Sequence, residues 1–164
     1  MKLNKINNKV AIIMGSQSDY PVMKDAEKIL RILKINFEVL TVSAHRTPKR
    51  MFEFAENADK KGFAVIIAGA GGAAHLPGMV SSLATVPVIG VPIETKKLKG
   101  LDSLLSIVQM PKGIPVGSVA VGKDGAINAA LYAASILAAS NKKIKLRLKK
   151  LRSKQTKSVK KKPK

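Results

Sequence analysis

The chain has 164 residues, 46% of them hydrophobic, with 30 Lys and Arg against 10 Asp and Glu and a formal net charge of +20. This length supports one domain with a sizeable core, and the apolar content excludes a disordered chain. The lack of cysteine excludes disulfides, thiolate zinc sites and a cysteine nucleophile, and the lack of an 18-residue apolar run predicts that no helix spans a membrane.

Buried strands and amphipathic helices alternate along the first 140 residues. Continuous apolar runs of about five residues are typical of strands buried on both faces, and apolar spacings of three and four indicate helices. The pattern predicts strands at 10–14, 37–42, 64–68, 86–91 and 116–121, and helices at 21–33, 48–61, 101–109 and 126–139. This order predicts an α/β fold, in which a parallel sheet carries helices on both faces.

Most of the positive charge lies near the C-terminal end. Residues 141–164 contain 11 Lys, 2 Arg and no acidic residue, a charge of +13, whereas residues 1–140 carry +7. We therefore predict a single α/β domain at 1–140 and a basic C-terminal tail at 141–164. The tail should be helical at first, because Ile144, Leu148 and Leu151 form a weak apolar stripe, and mobile from Ser153 onward.

A polar turn follows the first strand, at the sheet edge where ligands bind in folds of this kind. Gly15 lets the chain turn sharply, and Ser16 and Ser18 place hydroxyls near a helix N-terminus, which suits an anion. Asp19 could accept hydrogen bonds from sugar hydroxyls. The alternative is that Ser18 or Asp19 only caps the next helix.

The turn after the second strand brings a hydroxyl, an imidazole and a guanidinium together. Arg46 can hold a phosphate through two hydrogen bonds. His45 belongs to the side-chain type whose ordinary pKa suits proton transfer near neutrality. The alternative is a surface histidine beside an ion-paired arginine. We expect Thr47 to cap the following helix, with Pro48 in its first position.

The turn after the third strand, 69–74, consists of glycine and alanine and leads to His75. Small residues let a ligand approach the backbone, although they would equally permit tight packing of a helix on the sheet. The segment matches neither a phosphate-binding P-loop nor the dinucleotide fingerprint. No His, Asp or Glu cluster has the spacing of metal ligands, so we predict no metal site.

Together these turns resemble the N5-carboxyaminoimidazole ribonucleotide mutases. The resemblance lies between residues 10 and 139, in segments 14–19, 43–48, 68–79, 87–92, 100–111 and 113–117. It implies a flavodoxin-like three-layer α/β/α sandwich with a central parallel sheet, a homo-octamer and a reaction without cofactor, metal or ATP. The implied reaction of purine (IMP) biosynthesis moves a carboxylate from the exocyclic nitrogen to the ring carbon of an aminoimidazole ribonucleotide.

The resemblance also implies roles for individual residues, with 1–140 as the catalytic domain. His45 would act as general acid and base, and Asp19 would bind the ribose hydroxyls. The phosphate would be held by Ser16, Ser18, Ser43 and Arg46. The base and carboxylate pocket would be lined by Ala70, Gly71, Gly72, His75 and Leu76.

Other functions stay open at this point. The runner-up is a carboxylase that adds carbon dioxide directly to aminoimidazole ribonucleotide, and a generic flavodoxin-like nucleotide binder is a further enzyme alternative. A nucleic-acid-binding protein that acts through the basic tail is disfavoured, because aromatic residues make up only 4% of the chain and stacking platforms are scarce. We expect a cytoplasmic protein with a small-molecule substrate and no membrane partner.

Overall fold

The computed structural model describes residues 8–162, in which five parallel strands form one sheet. The strands are β1 (Lys9–Met14), β2 (Phe37–Thr41), β3 (Phe63–Gly71), β4 (Val88–Ile93) and β5 (Gly117–Ser118). Their spatial order is β2-β1-β3-β4-β5. The connection from β1 leads to β2 on one side, whereas β3 and the later strands lie on the other side of β1. The strand order therefore switches between β1 and β3, which is where ligands bind in open parallel sheets.

Helices cover both faces of this sheet. They are α1 (Tyr20–Ile32), α2 (Pro48–Glu56), α3 (Leu76–Ser81), α4 (Leu101–Val108), α5 (Gly122–Ala138) and α6 (Lys142–Ser158). One apolar core joins the sheet to α1, α5 and α6, and a second joins its other face to α2, α3 and α4. The predicted flavodoxin-like three-layer α/β/α fold is confirmed. Within residues 8–162, no helix is long and apolar enough to cross a membrane.

The apolar composition of the strands follows from this double coverage. In β1, Ile12 and Met14 belong to the core under α1 and α5, whereas Ala11 and Ile13 belong to the core on the opposite face. Successive side chains of a strand point to opposite faces. Both sets must therefore be apolar, which is why the strand has no polar alternation.

Several element boundaries differ from the sequence-based ones. The fourth strand lies two residues later than predicted, at Val88–Ile93, and the fifth is reduced to Gly117–Ser118, as is common for an edge strand. The second helix ends at Glu56 rather than near residue 61. The short helix Leu76–Ser81 was not predicted, because its Pro and Gly residues are typical of loops; burial of Leu76 and Val80 stabilises it.

The basic segment begins with a helix that is docked on the domain. The Asn141 side chain caps α6 by accepting from the backbone N–H groups of Lys143 and Ile144. Ile144 and Leu148 are buried in the core shared with α1 and α5. The helix continues to Ser158, five residues beyond the predicted start of the mobile end. The division at residue 140 stays a prediction.

The docking of α6 can be tested with two leucines that lie two residues apart. Leu148 is 6% exposed, whereas Leu146 is 67% exposed. Leu148→Ala should lower the free energy of unfolding by about 2 to 5 kcal/mol, because it removes buried methyl groups and leaves a cavity. Leu146→Ala should change it by less than about 0.5 kcal/mol. Urea unfolding at equal chain concentration measures both, and equal losses would contradict the docked orientation.

Candidate active site

A cavity of about 460 Å³ opens at the carboxyl ends of β1, β2, β3 and β4. It is lined by Gly15, Ser16, Ser18, Asp19, Ser43, Ala44, His45, Arg46, Ala70, Gly71, Ala73, His75, Leu76, Ile93, Glu94 and Thr95. All the predicted site residues except Gly72 belong to this lining. The parallel sheet thus brings together turns that are far apart in sequence, which is the arrangement expected of a ligand site in such a fold.

Arg46 connects the turns that follow β1 and β2. Its guanidinium donates a hydrogen bond to the backbone carbonyl of Gly15. The hydroxyl of Ser43, which is 6% exposed, accepts from the backbone N–H of Arg46 at 3.2 Å and from its Nε at 3.4 Å. These contacts fix the guanidinium at the cavity wall, where its remaining N–H groups can meet an anion.

Thr47 supports the same turn and does not cap α2, contrary to the prediction. Its hydroxyl accepts from the Ser43 N–H at 2.9 Å and lies 3.1 Å from the Ser43 carbonyl oxygen. The side chain makes no capping hydrogen bond to the helix, although Pro48 occupies the first helical turn as predicted. The hydroxyl faces back along the turn because it satisfies both backbone groups of the buried Ser43.

The two histidines of the chain meet in the cavity. His45 Nε2 and His75 Nδ1 lie 2.9 Å apart, and the rings meet edge to face with centroids 4.9 Å apart. A hydrogen bond at this distance needs one nitrogen to donate and the other to accept. The protonation of one ring therefore sets the tautomer of the other, while His45 Nδ1 and His75 Nε2 take no part in this bond.

Asp19 holds a half-buried carboxyl at the N-terminal end of α1. Burial raises the pKa of Asp19 above its ordinary value, and the Ser18 hydroxyl, the Ser16 backbone and the Arg46 charge oppose this rise. Because the folded protein then binds protons more tightly than the unfolded chain, the group's contribution to stability falls as the pH rises through the interval between the two pKa values. The charged carboxylate is thus held at some cost to stability.

The first turn is shaped by hydroxyl groups as well. Ser16 accepts from the backbone N–H of Ser18 at 3.3 Å, and the Ser18 hydroxyl lies 3.4 Å from an Asp19 carboxylate oxygen. Asp19 makes no capping hydrogen bond to α1 through its side chain. The alternative that Ser18 or Asp19 serves only to cap α1 is therefore not supported.

Two serines of α4 hold the glycine-rich turn in place. The buried Ser103 hydroxyl accepts from the Gly72 N–H at 2.9 Å and donates to the Ile93 carbonyl at 2.6 Å. The Ser106 hydroxyl lies 3.2 Å from the Gly72 carbonyl oxygen. Gly72 has φ +69°, a conformation that favours glycine. Gly72 is therefore engaged with α4 instead of lining the cavity.

Sequence reasoning missed five of the lining residues, whereas Ala73 lies in the turn 69–74 whose backbone was expected to line the pocket. The five are Gly15 and Ala44, which adjoin predicted residues, and Ile93, Glu94 and Thr95 at the end of β4 and just after it. The last three lie at a strand end, as the other three turns do. They were overlooked because the fourth strand was predicted to end at Val91, which left its carboxyl end two residues short of the cavity. Neither Ser103 nor Ser106 had a signal in the sequence, since a serine on an amphipathic helix is unremarkable.

Comparisons with known proteins give one consistent answer. A family model described as AIR carboxylase matches residues 9–158. The chain is 56% identical over 151 residues to the N5-carboxyaminoimidazole ribonucleotide mutase of Escherichia coli K12, covering 92% of this chain and 89% of the relative. It is 63% identical over 129 residues to the mutase of that name from Thermotoga maritima, covering 79% and 74%.

A solved structure has the same fold. The crystal structure of Treponema denticola PurE superimposes with a TM-score of 0.83 at 25% sequence identity, over 91% of this chain and 92% of that chain. The two chains therefore share the three-layer arrangement although three quarters of their aligned residues differ.

The support of the cavity by α4 can be tested at Ser103. Ser103→Ala should lower the free energy of unfolding by about 1 to 3 kcal/mol, because the Gly72 N–H and the Ile93 carbonyl lose their common partner in a buried place. Ser82→Ala removes an exposed hydroxyl that contacts only its own helix turn and is the control, with an expected change below about 0.5 kcal/mol. Urea unfolding that gave equal losses would contradict the role assigned to Ser103.

Proposed function

The chain belongs to the AIR carboxylase family, and we propose that the cavity around His45 is the active site in which it acts as an N5-carboxyaminoimidazole ribonucleotide mutase. The protein is thus an isomerase of purine biosynthesis, and we expect it to work in the cytoplasm. The observation that carries the assignment of the site is the contact between His45 and His75 at 2.9 Å beside Arg46, inside a cavity formed by four strand ends.

The proposed reaction needs a proton to enter and a proton to leave. The bond between the exocyclic nitrogen and the carboxylate carbon breaks, and the nitrogen takes up a proton. A bond then forms between the same carbon and the ring carbon, which loses its proton. One imidazole at His45 can supply the first proton and accept the second, because an imidazole ring can both donate and accept a proton. The cavity would keep the released carbon dioxide close to the ring.

His75 is proposed to orient His45. Because the two rings share one hydrogen bond, His75 selects which nitrogen of His45 carries the proton. A defined tautomer is what a group that both donates and accepts a proton requires. With Ala70, Gly71 and Leu76, His75 would also line the pocket for the base and carboxylate, whereas Gly72 would act by shaping the turn.

The phosphate of the substrate is proposed to bind between the first two turns. Arg46 supplies the positive charge, and Ser16 and Ser18 supply hydroxyls near the N-terminus of α1. The Ser43 hydroxyl accepts two hydrogen bonds from Arg46 and keeps its own proton for a phosphate oxygen. The half-buried Asp19 next to them would accept hydrogen bonds from the ribose hydroxyls.

Two neighbouring residues should separate catalysis from binding. His45→Asn should lower kcat about 100- to 10,000-fold, since it removes the proton donor and acceptor. Arg46→Ala should mainly raise KM, by about tenfold to a hundredfold for the loss of charge-assisted hydrogen bonds, with a smaller effect on kcat. Steady-state turnover of N5-carboxyaminoimidazole ribonucleotide measures both.

The outcomes that oppose these roles are distinct. Near-normal turnover by the His45→Asn variant would remove His45 from the chemistry, and an unchanged KM for Arg46→Ala would remove Arg46 from phosphate binding. Unmodified protein should also be assayed with aminoimidazole ribonucleotide and bicarbonate. Efficient use of that mixture, and not of N5-carboxyaminoimidazole ribonucleotide, would replace the mutase by a direct carboxylase.

A homo-octamer is proposed as the working assembly, and α4 offers a surface for it. Leu101, Leu105 and Val108 are each about half exposed and lie on one side of this helix at spacings of four and three. Exposed apolar stripes of this kind mark protein contacts. The opposite side of α4 carries Ser103, which bonds to Gly72, so assembly would cover the helix that supports the site.

The assembly has a direct test in light scattering. Unmodified protein should have eight times the mass of the chain, and Leu105→Glu should lower that mass because a buried charge without a partner opposes contact. Ile32→Glu changes another exposed apolar residue, outside the α4 stripe, and should leave the mass unchanged. A monomer mass for the unmodified protein would refute the octamer.

A further inference from the structure

The outer helix α6 concentrates positive charge on one side of the domain. Between Lys142 and Ser158 it carries seven Lys, two Arg and no acidic residue. Its apolar side is already occupied, because Ile144 and Leu148 are buried in the core with α1 and α5. The charges are therefore held in fixed positions on a folded surface.

The cations of α6 form two rows. Lys145, Lys149 and Arg152 follow one another at spacings of four and three and border a groove against α5. Lys150, Lys154 and Lys157 have the same spacings, and the first two border a groove against the end of α1. Each row covers about 10 Å along the helix at 1.5 Å per residue.

No carboxylate of the described residues neutralises these rows. The ion pairs found within residues 8–162 join Lys9 to Glu38, Lys28 to Asp25 and Arg31 to Glu27, all outside α6. Arg147, which borders the groove against α1, donates to the backbone carbonyls of Leu33 and Lys34 at the end of that helix. Arg147 thus anchors the helix to the domain, whereas the two rows have no ion pair with a described carboxylate and can contact an anionic partner.

The location of α6 separates it from the active site. Ser16, Ser18 and Asp19 lie at the N-terminal end of α1, whereas Arg147 contacts the C-terminal end. The 13 residues of α1 place about 20 Å between these ends. A partner of α6 can therefore bind without entering the cavity.

We propose that the two basic rows of α6 bind the phosphate backbone of double-stranded nucleic acid, without sequence preference. A duplex carries one negative charge per about 1.7 Å of its axis, so each row spans several phosphates. No aromatic residue occurs in α6, which leaves no platform for stacking the bases of a single strand. A membrane helix must insert an apolar face, and on α6 that face is used by the domain, with only Leu146 exposed among the cations.

The experiment uses the full chain and a fluorescent duplex DNA of about 20 base pairs, with anisotropy recorded from about 50 to 300 mM salt. The logarithm of the binding constant should fall linearly with the logarithm of the salt concentration. The triple variant K145Q/K149Q/R152Q removes one row and should reduce that slope by about 0.9 for each lost contact, about 2.7 in all. A second duplex of unrelated sequence should bind equally well.

The matched control removes the same charge elsewhere. K60Q/K61Q/K112Q changes three exposed lysines outside α6 and should leave the slope close to that of the unmodified protein. Both triple variants should retain mutase turnover, which shows that they are folded.

Equal slopes for the two triple variants, or no duplex binding at low salt, would overturn the proposal. Equal affinity for a single strand of the same length would reject the preference for a duplex. Binding to phosphatidylserine vesicles in place of the duplex would assign the rows to a membrane surface instead.

Discussion

The site depends on the parallel register of the four strands that surround it. Met14 of β1 is paired with Thr41 on one side and with Gly69 on the other, and Gly69 is paired with Val91 of β4. Because these residues lie level across the sheet, the turns that follow them open onto one cavity. Burial of β1, β3 and β4 on both faces fixes this register, since a slip of one residue would exchange the side chains of the two cores.

Close packing behind the cavity explains why glycine recurs in this part of the chain. A Cβ on Gly69 would lie 2.5 Å from Met23 Sδ in α1, and one on Gly90 would lie 2.5 Å from Ile107 Cγ2 in α4. Gly71, by contrast, borders the cavity itself. Of the two explanations offered for the glycine-rich turn, tight helix packing therefore applies to Gly69, whereas Gly71 has the position that the approach of a ligand would need.

The charged residues are distributed unevenly between the cavity and the outer helix α6. The candidate active-site cavity is bordered by Arg46 and by the carboxyl groups of Asp19 and Glu94. The densest run of Lys and Arg lies on α6, in the outer layer near the far end of α1. With its seven Lys and two Arg, this helix carries nearly half of the net charge of +20, which therefore says little about the chemistry of the cavity.

Local patterns were enough to locate most of the fold and three walls of the site. The apolar runs identified the buried strands because both faces of the sheet are covered, and the polar residues after them could only lie at its carboxyl edge. The contact of His45 with His75, the bonds from Ser103 to Gly72, the helix at Leu76–Ser81 and the docking of α6 all join residues whose partners lie elsewhere in the chain. A sequence pattern records what each residue prefers locally, whereas such contacts arise only when packing brings distant segments together, and for that reason they became visible only in the folded protein.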